Sequence, residues 1–541
     1  MGGRAIMTVP ATMPGMDHPA APATTTYDEV PYESHPFAQT HPDRLATLAR
    51  LMGLQPPPVA RCRVLELGCA AGGNLLPMAV ALPQAQFVGV DLSAVQIAQG
   101  QRAVDALGLT NVQLHAMSIT EVDASFGEFD YILSHGVYSW VPDAVQQAIL
   151  RVSADRLHSD GVAYVSYNTL PGWRMRGMVR DLMRYHAMPF ADPTQRVAQA
   201  RAILGFLANA VPAQGNAYGI LLHGELQALA GAVDHYILHE HLEDTNEPVY
   251  FHEFAARAAR QGLQYLGEAD FSAMLAANFE PEVAQTLLRI APDLIRQEQF
   301  MDFLRNRTFR QTLLVHEGAA PQRHVTPERL QGLWVASALQ PAQAGAPAAG
   351  IAVTFRATDG GTLTTPNAVT QAAIALLGAQ WPVALAFDDL LQRAVARLQQ
   401  LGIAGDMDGL SAREVLGSDM LQCQTAGLVE LRTRACDFTL EPGACPLASP
   451  LARWQASQGL ATVTSLRHER VAVDAQSARL LQLLDGRHDR NAVCRQLMGG
   501  AAGVRGLAPL PPAAVPRATR EAVDRAIEQM ARAALLMREP A

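Results

Sequence analysis

Between Cys62 and Asn168 the chain alternates two kinds of pattern, and that alternation leaves few folds open. CRVLELG, QFVGVDL, NVQLHAM, FDYILSHGV and GVAYVSYN read as short apolar strands. NLLPMAVALP, AVQIAQGQRAVDALG and PDAVQQAILRVSADRL lie between them with helical spacing. Strand and helix in regular alternation predict a parallel, doubly wound α/β sheet. Residues 176–242 read as a helical insertion. The sheet rhythm then returns in YFHEFAARAARQGLQYLGEADF, a helix, a stop at Gly262 and a strand. A helical excursion leads to a last strand, FRQTLLVHEG (Phe309–Gly318). Seven strands are therefore expected, and the first core should close near Gly318, leaving the rest dispensable for its fold.

The remaining organisation follows from breaks in composition. Residues 1–25 are rich in Ala, Pro and Thr and are expected to be disordered. A core over 26–175 begins with a lead-in helix from Pro42 to Leu51. The segment 176–318 completes the sheet, and 319–541 is a mainly helical region suited to substrate docking. There IAVTFRATDGGTL turns at Asp359-Gly360, and TPNAVTQAAIALLGAQ and FDDLLQRAVARLQQLG are helical. RHERVAVD, AQSARLLQLLDG and AVCRQLM repeat that rhythm, which fits a winged-helix-like arrangement. Ala344–Gly350 reads as a linker. A Pro-rich break precedes a final amphipathic helix from Glu521 to Met537.

Composition excludes several classes. With 541 residues, 49% hydrophobic and 17% charged, the chain is globular and too long for one core. Its net charge of −9 and lack of a basic tract argue against nucleic acid as a partner. No apolar run approaches the ~20 residues of a membrane helix, and the N-terminus has prolines where a signal peptide needs an unbroken apolar stretch. Six scattered cysteines without CxxC spacing fit a reducing cytoplasm. All 42 basic residues are arginine. A GC-rich coding sequence would produce that bias; so would a lysine-modifying enzyme that spares itself.

The chemistry is concentrated in VLELGCAAGGN (Val64–Asn74), a strand running into a glycine turn and a helix. Such a turn offers backbone N–H groups and a helix N-terminus to a nucleotide-like ligand. Dinucleotides and S-adenosylmethionine compete for it. The spacing is an imperfect G-x-G-x-x-G, and Glu66 stands two residues before Gly68, where S-adenosylmethionine enzymes hold the amino-acid end of the cofactor. Asp91 ends the second strand, nineteen residues after Gly72, where a carboxylate accepts bonds from ribose hydroxyls. Together these favour the methyl donor.

VLELGCAAGGN and VGVDLS resemble motifs I and II of class I S-adenosylmethionine-dependent methyltransferases, whose fold is Rossmann-like. YDEVPY (Tyr27–Tyr32), GCAAGGNLLPMA, HGVYSWVP (His135–Pro142), YNTLPGW (Tyr167–Trp173) and HEHLEDTNEPVYFHEF (His239–Phe254) extend the resemblance over about residues 26–320. The group they resemble carries a methyltransferase regulatory domain and includes the rickettsial outer-membrane-protein lysine methyltransferases. HERVAVD and LLDGRHDR continue it more faintly. The resemblance implies that Glu66, Gly68, Gly72 and Asn74 surround the methionine part of the cofactor, with Cys69 a further cofactor-binding candidate. Asp91 would bind the ribose, with Leu92 and Ser93 beside the adenine. Ser118 and Ile119 replace an acid found in many relatives. Ala70 replaces the middle glycine, where small size is expected to suffice.

HGVYSWVP follows the fourth strand, at the edge where α/β sheets place their sites. Tyr138 and Trp140 are expected to line the acceptor channel, unless they pack the strand-to-helix junction. His135 is a candidate proton acceptor or a backbone-shaping group. His235, His239, His241 and His252, with Glu240, lack zinc spacing, so no metal is expected; this segment should shape the acceptor entrance. The reading is a methyltransferase acting on lysine amines of a protein. A small-molecule methyltransferase and a non-catalytic cofactor-binding regulator are the alternatives. Nothing in the pattern fixes an oligomeric state.

Overall fold

The computed structural model describes residues 33–343, 350–403, 411–499 and 515–538. The expectations for residues 1–25, for Tyr27–Tyr32 and for nearly all of Ala344–Gly350 lie outside them. A lead-in helix α1 (Pro42–Leu51) precedes β1 (Arg63–Leu67), α2 (Leu75–Ala81), β2 (Gln86–Asp91), α3 (Ala94–Leu107), β3 (Val112–Ala116), β4 (Phe129–Ser134), α4 (Asp143–Arg156) and β5 (Leu157–Asn168). The insertion holds α5 (Gly172–Ala187), α6 (Pro193–Ala210), α7 (Ala217–Leu229) and α8 (Asp234–His241). Then follow α9 (Phe251–Ala259), β6 (Leu263–Glu268), α10 (Pro281–Ile290), α11 (Leu294–Arg305) and β7 (Phe309–His316).

The seven strands form one sheet in the order β3-β2-β1-β4-β5-β7-β6. Strands β1 to β5 pair in parallel, whereas β7 lies antiparallel between β5 and β6. The sheet is mixed rather than wholly parallel, because β7 enters from α11 at the opposite end. Alternate residues feed alternate faces, as the two-residue period of a strand requires. Val64, Phe87, Tyr131 and Tyr164 bury against α1, α2 and α3. Leu65, Val88, Ile132 and Ala163 bury against α4 and α9. The insertion has its own small core, with Val179, Met183, Leu204, Leu222 and Ile237. Fully buried Arg310 ties β6, β7 and α11 together through Glu268 (2.8 Å), Asp302 (2.8 Å) and Glu298 (3.0 Å).

Two larger cores follow Gly318, with a smaller cluster of Ala336, Ala384, Cys436, Phe438 and Ala534 beside them. One gathers Leu333, Val335, Phe355, Ile374, Leu390 and Met420 around a hairpin, β8 (Val353–Arg356) with β9 (Thr362–Thr365), that turns where expected. The other gathers Ala452, Val463, Leu481, Val493 and Ile527 around a second hairpin, β10 (Thr462–Thr464) with β11 (Arg470–Ala472). The last helix spans Arg517–Arg532 rather than Glu521–Met537. After it the chain turns at Ala534 (φ +54°), and Leu536 and Met537 pair with Ala448 and Phe438.

This C-terminal region is not separate from the first core. Thr433 donates its backbone N–H to Asp43 at the start of α1 (2.8 Å). Arg467 and Arg44 grip the two oxygens of Glu430 at 2.6 and 3.3 Å. Trp454 packs against the sheet's first face.

Candidate active site

The turn after β1 is shaped by steric necessity. Gly68 has φ +80°, and a Cβ there would come within 2.4 Å of the Val137 side chain. Asp91, at the end of β2, clamps the same turn. Its two oxygens accept from the backbone N–H of Ala70 (2.8 Å) and of Ser93 (2.9 Å). Ala70 itself sits at φ +49°, so the position asks for left-handed backbone and not merely for a small side chain. Gly72 (φ +74°) tightens the turn with its N–H on the Cys69 carbonyl (2.8 Å) and does not reach the cavity wall.

The successive turns at the carboxyl edge of the sheet open onto one cavity of about 650 Å³. Glu66, Gly68, Cys69 and Asn74 line it after β1, Asp91, Leu92, Ser93 and Gln96 after β2, and Ser118 and Ile119 after β3. Apart from Gly72, the structure brings all the cofactor-binding candidates together. Leu92 is 52% exposed and offers an apolar flap at the mouth. Ser93 caps α3, its hydroxyl accepting from the Gln96 N–H at 3.2 Å. Burial pushes the Cys69 thiol well above its ordinary range, so it is uncharged.

Glu66 is the most unusual group. Its Oε1 accepts from the Asn74 amide at 2.8 Å, while its buried Oε2 has no partner among the described residues. Burial pushes its carboxyl up to about 8 against the lowering effect of that amide, and nearby Asp91 adds to the rise. A carboxyl in that state fits a cationic ligand group, which would stabilise its ionised form. Gln96 Oε1 is likewise buried without a partner.

Beyond the cofactor turns the cavity continues along residues from β4, β5 and the insertion. His135 lines it, with Nδ1 2.8 Å from the Tyr164 hydroxyl and 3.3 Å from Ser166. Its ring packs on Phe37 at 3.9 Å, and burial lowers its pKa to about 4, so it is neutral and a poor base near pH 7. Tyr138 does not line the channel. It is wholly buried against Phe254 (5.2 Å) and Tyr167 (5.9 Å), with its hydroxyl accepting from Arg257 at 3.3 Å. A 3₁₀ turn over Tyr138–Trp140 sends the two rings in different directions, so only Trp140 faces the cavity.

Trp140 meets Trp173 edge to face at 6.1 Å. Trp173, Arg176, Tyr236, His239, Glu240 and Glu243 complete this wall. Burial raises the Glu240 carboxyl to about 7 despite Arg176 nearby. Arg176 lies over the Trp173 ring (5.4 Å) and reaches Glu225 at 3.6 Å. Of the four histidines weighed for metal, only His239 lines the cavity; His241 is buried beneath it, and His252 holds Gln299 (2.9 Å). Nothing in the sequence singles out Trp173, Tyr236, Glu243 or Gln96 individually. YNTLPGW and HEHLEDTNEP, which hold Trp173, Glu240 and Glu243, carried the available signal.

Comparison with known proteins settles what the turns belong to. Residues 64–161 match the family described as "Methyltransferase domain", residues 233–316 match "Predicted methyltransferase regulatory domain", and residues 445–535 match "PKMT, C-terminal winged helix domain". The uncharacterized protein RP028 of Rickettsia prowazekii is 39% identical over 241 residues, 96% of its length and 44% of this chain. The chain belongs to the class I S-adenosylmethionine-dependent methyltransferases with a methyltransferase regulatory domain. The uncharacterized protein RP789 of the same organism is 48% identical over 299 residues, 55% of this methyltransferase. That stretch is 54% of RP789, so the methyltransferase spans about half the length of that relative. The solved structure of PKMT2 from Rickettsia typhi in complex with AdoHcy covers 94% of the chain and 100% of its own, at 28% identity and a TM-score of 0.81. S-adenosylmethionine is the cofactor of this methyltransferase. No described helix is long and apolar enough to cross a membrane.

Proposed function

We propose that the chain transfers methyl groups to lysine side chains of a protein substrate. The observation that carries this reading is the wall formed by Trp140, Trp173, Tyr236, Glu240 and Glu243 beside the cofactor turns. Indole faces suit the four-carbon stem and the cation of a lysine, and the carboxylates suit its ammonium. The resemblance to rickettsial lysine methyltransferases and the likeness to PKMT2 support a protein acceptor. So does a C-terminal region of some 220 residues, large for an enzyme of a small metabolite. Six unpaired cysteines suit a reducing cytoplasm as the place of action.

In this reading Glu66 and Asn74 hold the amino-acid end of the cofactor and Asp91 the ribose. Leu92, Ser93, Ser118 and Ile119 flank the adenine. The cofactor supplies an electrophilic methyl on a sulfonium. The protein aligns the nitrogen with it and excludes water, which is most of what such a displacement needs. Lysine must first become a neutral amine, against a reference pKa of ~10.4. Glu240, poised at about 7, takes the proton from the acceptor nitrogen. His135, at about 4, is unsuited to that step. Below pH 7 the Glu240 carboxyl fills with protons, so the rate should fall as pH drops through that value.

The test uses labelled cofactor and a cell lysate, followed by hydrolysis of the protein fraction. Methylated lysine is expected there; the enzyme has no lysine side chain of its own, so that label lies on a partner. Glu240→Gln should lower kcat/KM by about 10²-fold or more and flatten the acid limb of the pH profile, with cofactor affinity unchanged. Label confined to small molecules would end the lysine reading.

A further inference from the structure

The amide of Asn74 is fixed by four neighbours. Its Nδ2 donates to Glu66 Oε1 at 2.8 Å and to the Thr40 hydroxyl at 3.0 Å, and its Oδ1 accepts from the Phe37 backbone N–H at 2.9 Å. The fourth neighbour comes from 394 residues away: His468 Nε2 lies 2.7 Å from Oδ1. Because that oxygen faces a backbone N–H, it can only accept, so His468 carries its proton on Nε2 and donates.

His468 sits at the tip of the β10–β11 hairpin, the wing of the C-terminal domain. Its backbone is left-handed, at φ +64°, where glycine or asparagine is the easier choice. The tip is held on both sides. Leu466 donates its N–H to the Ala534 carbonyl (2.9 Å), His468 donates its own to Ser465 (3.0 Å), and Arg467 grips Glu430 at 2.6 Å. The side chain is 4% exposed and points into the first core. This hairpin therefore spends its strained residue on a contact with the cofactor turn.

We propose that His468 is a positioning residue for the cofactor, supplied by the C-terminal winged-helix domain. Its N–H orients the Asn74 amide, the amide holds one oxygen of Glu66, and the other oxygen is thereby aimed at the cationic end of the cofactor. The proposal rests on the reading that this end of the cavity receives the amino-acid part of S-adenosylmethionine. It makes the wing part of the cofactor site, so a chain ending near Gly318 would lack a piece of it.

The test compares His468→Gln with His468→Leu in the full chain. Both substitutions meet the same backbone strain, and only Gln keeps a donor at the reach of Nε2. His468→Leu should raise the Kd for S-adenosylhomocysteine and the KM for the cofactor about tenfold, with kcat at saturating cofactor within about threefold. His468→Gln should recover most of that loss. A purely structural role would lower the Tm of both variants alike and leave cofactor affinity of the folded protein unchanged, which overturns the proposal. On the unaltered protein, S-adenosylhomocysteine should slow amide hydrogen exchange over residues 465–469; unchanged exchange there overturns it without any variant. Failure of the unaltered protein to bind S-adenosylhomocysteine would instead sink the reading of the cavity.

Discussion

The two halves of the cavity are built in opposite ways. The half proposed to hold the cofactor is lined mainly by residues from three successive strand ends within residues 66–119, steadied by His468 from the wing. The half proposed to take the acceptor draws Trp140 from the turn after β4, Trp173 and Arg176 from α5, and Tyr236, His239 and Glu240 from α8. There the contacts are side chains carried in by an insertion with its own core. A fixed cofactor suits residues set by neighbouring strand ends, whereas a variable acceptor suits a surface that can change independently of them.

The largest expected effect breaks the cofactor half alone. Asp91→Ala removes a carboxylate that clamps the Ala70 and Ser93 N–H groups and is proposed to hold the ribose. Charge-assisted bonds are worth ~1.5–3 kcal/mol each, so cofactor affinity by calorimetry should fall by about two to three powers of ten. Trp140→Ala should do the reverse: kcat/KM for the protein acceptor drops by roughly 10- to 100-fold while cofactor Kd stays within about twofold. Tyr138→Phe, one short step along the chain, should leave both within about twofold, since its ring is core.

A smaller effect sharpens the role of Glu66. Its carboxyl titrates at about 8 in the free protein and is therefore mostly protonated at pH 7. A cationic ligand end favours the carboxylate, so binding must expel the proton. Calorimetry of S-adenosylhomocysteine in buffers of different ionisation enthalpy should show close to one proton released at pH 7. Affinity should rise by up to about tenfold per pH unit toward 8. Glu66→Gln should abolish the release; a release that persists would assign it elsewhere. The smallest expected effect is Ala70→Gly, which relieves the left-handed strain and should raise Tm by a few degrees at most, equivalent to about 1 kcal/mol.

These differences also explain what could be read from the chain beforehand. The strand alternation, the glycine turn and the spacing to Asp91 are local, and a local pattern survives in sequence. The antiparallel entry of β7 is not local, since it depends on where α11 ends. Tyr138 and Trp140 are two residues apart and look alike as aromatics, but the 3₁₀ turn separates their fates. Glu240 stands in a histidine-rich run whose pattern points toward metal ligation; only the packing of α8 shows it facing the cavity. The pairing of His468 with Asn74 spans most of the chain and has no short-range signature.

The insertion begins and ends at one point. Thr169 bridges Val249, the Val249 N–H reaches the Asn168 carbonyl at 3.2 Å, and the Leu170 N–H reaches the Val249 carbonyl at 3.1 Å. Some eighty residues of chain are thus pinched shut at the neck, with β5 running into it on one side and α9 leaving it on the other. Loop-closure entropy grows only slowly with length, so such a neck tolerates very different heads. A descendant could lengthen, shorten or exchange the segment between Thr169 and Val249 without shifting a single strand register. The surface proposed to take the acceptor can then drift through grafts at that neck while the turns after β1, β2 and β3 stay as they are.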